Sequence, residues 1–154
     1  MQIKIVMAGR TQTVTALHDT GNTLRDPVSG RAALVLEQKA AEALWPGVMA
    51  AVLALSLTPE EKMARLYRQG CAVRFTLLPF RAVGTAAGLL LAARSDYIEV
   101  NGRRYPRTPV ALSEQPVSDG GGYHALWGAA EERGRGHEAV DVAEAAVAQS
   151  AKAG

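Results

Sequence analysis

The chain has 154 residues, 48% hydrophobic and 21% charged, with a single cysteine. This is the composition of one ordinary globular domain, and it excludes collagen-like, wholly disordered and disulfide-framed classes. The 17 Lys and Arg against 15 Asp and Glu leave a formal charge of +2, and aromatics make up 5%; the charge is too balanced and the stacking residues too few to point to nucleic acid.

Residues 2–17 predict a hairpin: Ile3, Ile5 and Met7 share one face, Ala8-Gly9-Arg10 turns, and Thr13 and Thr15 alternate against Val14 and Ala16. A tight polar turn follows over His18–Asn22, and Asp26-Pro27 and Ser29-Gly30 mark further turns. Ala32–Glu37 reads as a short buried strand and Gln38–Leu44 as helix, interrupted by Trp45-Pro46-Gly47. Thr58-Pro59-Glu60-Glu61 is a helix start with an N-cap, a proline at the first helical position and a capping box. Gly70 is its stop, with Met63, Leu66, Tyr67 and Gly70 on one face. Cys71–Phe80 returns to strand, and Leu89–Ala92 is a strand or buried turn. Asp96–Val100, Asn101-Gly102 and Arg103–Tyr105 form a hairpin with a type I′ turn. Pro109–Leu112 is a further strand, Gly120–Gly122 a loop, and Tyr123–Trp127 a short helical turn.

Composition shifts at Ala129, giving a folded unit over 1–128 and an Ala/Glu/Gly-rich tail over 129–154, a frayed helix or disordered. The fold class expected from these elements is mostly β with inserted helices. No apolar run reaches the roughly twenty residues of a membrane-spanning helix, and the N-terminus lacks the apolar region of a signal peptide. The chain as given therefore reads as soluble and cytosolic, with an anchor left open in a longer parent. His18, His124, His137 and Cys71 have no metal-ligand spacing, so no metal is expected, and the hydrolytic chemistry read below needs no organic cofactor.

Asp19-Thr20-Gly21 carries the chemistry. A carboxylate ends an apolar strand, before a glycine that lets the chain turn, and the Thr20 hydroxyl can fix the loop. Hydrolytic aspartates are presented this way. Two of them facing each other share one proton, the charged one activating water and the protonated one polarising the scissile carbonyl. The bland alternative is a surface turn, since all three are good turn residues.

The run Leu17-His18-Asp19-Thr20-Gly21-Asn22-Thr23-Leu24-Arg25-Asp26-Pro27 resembles the active-site segment of the sporulation sigma-E factor-processing peptidases, the stage II sporulation protein GA family. Leu78-Pro79-Phe80-Arg81-Ala82-Val83-Gly84, Gly88–Ala92 and Asp96–Val100 agree in order, so that the resemblance spans roughly residues 3–128. It implies a retropepsin-like (acid protease) single lobe, a closed barrel of the six-stranded type. It also implies an aspartic endopeptidase that removes the pro-sequence of the sigma-E precursor on the mother-cell side of the sporulation septum. The parent is membrane-anchored and answers to a signalling activator through a membrane region that this sequence lacks. Asp19 is then catalytic, with Thr20, Gly21 and Asn22 supporting the loop and Arg81 touching substrate or loop. One Asp-Thr-Gly per chain requires a homodimer.

Lobes of this type carry a hydrophobic–hydrophobic–Gly strand beneath the loop. Val110-Ala111-Leu112-Ser113 is the candidate, with Ala111 in place of the glycine, and 40–58 is a candidate flap. Strand alternation sends His18 to the face opposite Asp19. Asp26 reads as a turn residue, Asp96 as a turn or cap, Cys71 as a small core residue and Arg133–Gly136 as a solvated linker. A non-catalytic protein-binding module of the same fold is the competing reading.

Overall fold

In the computed structural model, residues 1–19, 24–71, 74–80, 88–118 and 120–128 are described. The first hairpin forms as its alternation dictates. β1 (Gln2–Met7) buries Ile3, Ile5 and Met7 and pairs antiparallel with β2 (Arg10–His18). Ala8 and Gly9 join them with φ of 51° and 81°, the left-handed pair that suits the strand twist. Along β2 the partner changes. Residues 10–15 pair with β1, and residues 16–18 pair with a strand from the far end of the domain.

β3 (Leu34–Glu37) is followed by a 3-10 helix (Gln38–Leu44) and two α-helices, α1 (Gly47–Leu53) and α2 (Pro59–Arg68). Both halves of the expected capping box on α2 are made: Glu61 N–H donates to Thr58 Oγ1 at 3.1 Å, and Thr58 N–H donates to Glu61 Oε1 at 2.9 Å. At its other end Gly70 takes φ 74°, and the Gly70 and Cys71 amides donate to the Tyr67 and Leu66 carbonyls.

β4 (Phe75–Phe80), β5 (Gly88–Arg94), β6 (Tyr97–Val100), β7 (Arg103–Pro106), β8 (Pro109–Ser113) and β9 (Ala125–Trp127) complete one nine-stranded sheet. Its order is β4-β5-β8-β3-β9-β2-β1-β6-β7. The protein is thus mostly β with few helices, and the sheet curls as a half-barrel. The sheet differs from the expected closed six-stranded type. β4 and β7 are its edges, and no pairing joins them among the described residues.

The main core lies inside the curl and includes Ile3, Ile5, Leu34, Leu36, Ile98, Val110 and Trp127. A smaller cluster of Ala33, Leu78, Ala92 and Ala111, flanked by Leu24 and Leu90, forms on the other face of β3, β8, β5 and β4.

Four local expectations are corrected. Tyr123–Trp127 is not a helical turn, because β9 gains strand partners on both sides, and Ala125 and Trp127 alternate into the core. The proposed flap over 40–58 contributes Ala41, Leu44, Trp45, Val52 and Leu53 to the main core, so it is a structural insertion rather than a lid. On α2 the buried residues are Lys62 and Leu66, with Met63 half-buried beside them, while Tyr67 is exposed. The buried face shifts because the Lys62 ammonium finds the Leu53 carbonyl and the Glu114 carboxylate, each at 2.7 Å. Cys71 does not open a strand; it is half-buried against the core just after α2.

Candidate active site

Asp19 is the first residue past β2, and its backbone N–H donates to the Trp127 carbonyl of β9 at 2.9 Å. That bond continues the parallel ladder in which Ala16, Leu17 and His18 face Ala125, Leu126 and Trp127. Strand alternation therefore extends to Asp19 and puts it on the side of Leu17, away from the buried Ala16. The residue is half-buried. His18, in the opposite phase, is exposed.

β9 lies between β2 and β3, parallel to the first and antiparallel to the second. Its register aligns Leu17, Leu126 and Val35 in one row across three strands, a shelf beside the carboxylate. Leu17 is 38% exposed, and Leu126 and Val35 are half-buried. On the far side of the loop the chain is pinned again, as Ala33 N–H donates to the Leu24 carbonyl at 2.9 Å. Both ends of the Asp19 loop are thus held by the sheet. Thr20, Gly21, Asn22 and Arg81 lie outside the described residues.

The strand beside Asp19 is not the one expected. Val110–Ser113 belongs to β8, parallel to β3 and two strands further from Asp19. The position beside Asp19 is filled by Leu126-Trp127-Gly128, with Gly128 buried. These residues have the hydrophobic–hydrophobic–Gly pattern with the glycine present, a signal legible in the sequence and missed there.

β9 is anchored at its start. Glu37 N–H donates to the His124 carbonyl at 2.9 Å and His124 N–H to the Thr15 carbonyl at 2.9 Å. The Glu37 carboxylate accepts from Val117 N–H at 2.8 Å and meets His124 Nδ1 at 3.0 Å. Burial pushes this carboxyl up, but the Val117 amide and His124 outweigh it and hold Glu37 below its ordinary value.

The other carboxylates have structural roles. Asp26 Oδ1 accepts from Val28 N–H at 2.8 Å within its own turn, as expected of a turn residue. Asp96 accepts from Ala8 N–H and from Arg74, each at 3.0 Å. Among the described residues no group of three or more His, Cys, Asp or Glu could hold a metal ion.

These features define a mostly β domain with one carboxylate held at a strand end, its backbone braced by a parallel strand and an apolar shelf at its side. The family Peptidase_U4, sporulation factor SpoIIGA, matches residues 1–129, and the chain belongs to that sporulation peptidase family. No curated protein and no solved structure matches the chain.

Proposed function

We propose that this chain is one lobe of an aspartic endopeptidase with a retropepsin-like arrangement, in which Asp19 supplies half of the catalytic dyad. The observation that carries the reading is the brace. Asp19 is fixed through its backbone to β9, between the strand that ends in it and the strand that follows its loop. A nucleophile-activating carboxylate needs this rigidity.

One chain offers one such aspartate, so the active species is a twofold homodimer with the two Asp19 residues at the axis. One carboxylate stays charged and takes a proton from water; the other stays protonated and donates to the scissile carbonyl. The water attacks the carbonyl carbon, and no covalent enzyme intermediate forms. The titration belongs to the pair rather than to either residue. The row of Leu17, Leu126 and Val35 offers an apolar bed for substrate side chains next to the dyad. Thr20, Gly21 and Asn22 support the loop, and Arg81 contacts substrate or loop.

The substrate is the sigma-E precursor, whose pro-sequence is removed. In this reading a longer, membrane-anchored parent receives the signal of an activator protein. No described helix is long and apolar enough to cross a membrane.

The test is co-expression of the membrane-tethered protein with the precursor and its activator, wild type against Asp19→Asn. Cleavage should fall by about a thousandfold or more in a variant that remains folded. Cleavage that persists would remove Asp19 from the chemistry and leave the second reading, a non-catalytic protein-binding module of the same fold.

A further inference from the structure

A hollow of about 470 Å³ opens beside the turn that follows the Asp19 loop, and four arginines surround it: Arg31, Arg74, Arg94 and Arg107. Two carboxylates accompany them: Asp26 in the lining, its Oδ1 bonded to the Val28 amide, and Asp96, which pairs with Arg74. Four of the chain's 17 Lys and Arg thus line one hollow.

The arginines are arranged, not scattered. Asp96 acts as a hub: its Oδ1 binds Arg74 Nη2 at 3.0 Å, and its backbone carbonyl accepts from Arg107 N–H at 3.0 Å. Arg74 also donates to the Arg94 carbonyl at 3.0 Å, tying a third member to the group. Arg107 holds φ 55°, a conformation that costs an arginine free energy and a glycine almost none. Among the described residues Arg94 and Arg107 make no ion pair. Both are exposed.

The neighbourhood distinguishes among possible anions. The hollow borders β4, an edge of the sheet, whose outward backbone groups have no strand partner among the described residues. An extended peptide can add to such an edge, with side chains reaching the pockets beside it. Guanidinium groups are forks that match carboxylates two bonds at a time. A single phosphate would fill a small part of this space, and a concave hollow is poorly shaped for a flat lipid surface.

The hub of the hollow sits at the other end of β2 from Asp19: Asp96 N–H donates to the Val6 carbonyl and Asp96 Oδ2 accepts from Ala8 N–H, at the β1–β2 turn. Arg94 closes β5, paired with Pro109 of β8. We infer that the arginine hollow is a docking site for an acidic, extended peptide segment, which lies along β4 and places its carboxylates on Arg94 and Arg107, with Arg74 held in place by Asp96. That the segment belongs to the substrate rests on the peptidase reading above; the docking itself does not.

The test is fluorescence anisotropy with the full chain and a labelled octapeptide of leucine, serine and four glutamates, against the same peptide with glutamine for glutamate. The variant is Arg94→Gln with Arg107→Gly, the glycine keeping the backbone conformation at position 107 unstrained. The acidic peptide should bind the wild type, and affinity should fall about tenfold in the double variant and again as salt is raised. Asp19→Asn should bind like the wild type. Loss of cleavage chemistry and loss of docking are thereby read separately. Equal binding by the double variant, equal binding of the glutamine peptide, or no binding at all would overturn the inference. So would competition by millimolar inorganic phosphate, or preferential capture by phosphatidylglycerol vesicles.

Discussion

Glu37→Gln tests whether β9 is held as described. The carboxylate accepts from Val117 N–H at 2.8 Å and meets His124 Nδ1 at 3.0 Å, and its side chain is 17% exposed. Glutamine keeps one acceptor oxygen and turns the other position into a donor, so one of the two contacts loses its acceptor. A hydrogen bond to a charged group contributes about 1.5–3 kcal/mol. His124 is 48% exposed and can turn to water, which discounts its share. The expected loss is about 1–2 kcal/mol, or about 3–6 °C in Tm for a chain of this size.

The pH dependence adds a second check. Glu37 titrates below 4.5 in the folded state, so its stabilisation is present above the unfolded value and is lost as pH falls through the lower folded one. Thermal unfolding followed by circular dichroism should show the gap between wild type and variant at pH 7, and the gap should close as the pH falls through the lowered folded-state value. A variant as stable as wild type at neutral pH, or a gap that persists in acid, would refute the argument.

Three further outcomes are expected. Lys62→Met removes the donor to the buried Leu53 carbonyl while Glu114, 52% exposed, returns to water; urea unfolding should show a loss of about 1–3 kcal/mol. Thr58→Ala breaks the capping box of α2 and should cost about 1 kcal/mol, again read from the urea midpoint. Gly102→Ala meets no neighbouring atom but must hold φ 78°, so the β6–β7 hairpin should lose about 1–2 kcal/mol by strain alone, measured as a Tm shift.

The sequence was most legible where chemistry is local. Gly9 and Asn101-Gly102 mark turns because these residues tolerate the positive φ found there, and the α2 cap follows from four consecutive side chains. Asp19 at a strand end could be read for the same reason. β9 could not be read in this way. Three residues are too few to display a period of two, and its partners are Ala16–His18, Val35 and Leu36, far away in the chain. Leu126-Trp127-Gly128 carries the pattern, but Val110–Ser113 reads as the stronger strand, and it is one buried on both faces. α1 was missed because no side chain caps it and its residues read simply as an apolar run. Tyr67 was placed on the buried face because periodicity does not anticipate that a lysine will be buried there instead.

The parallel pairing of β2 with β9 also sets a folding order. Ala16 reaches Ala125 only after the intervening domain has been made and collapsed, and closing so long a loop is the slow, high-contact-order step in folding. During synthesis the hairpin that ends in Asp19 emerges first, and the strand that braces it emerges last among these elements. A nascent chain therefore carries the carboxylate long before the brace exists. In the aspartic-peptidase reading proposed above this timing is itself a safeguard, since the half-site that each chain would bring to the dimer is braced only when the domain is whole.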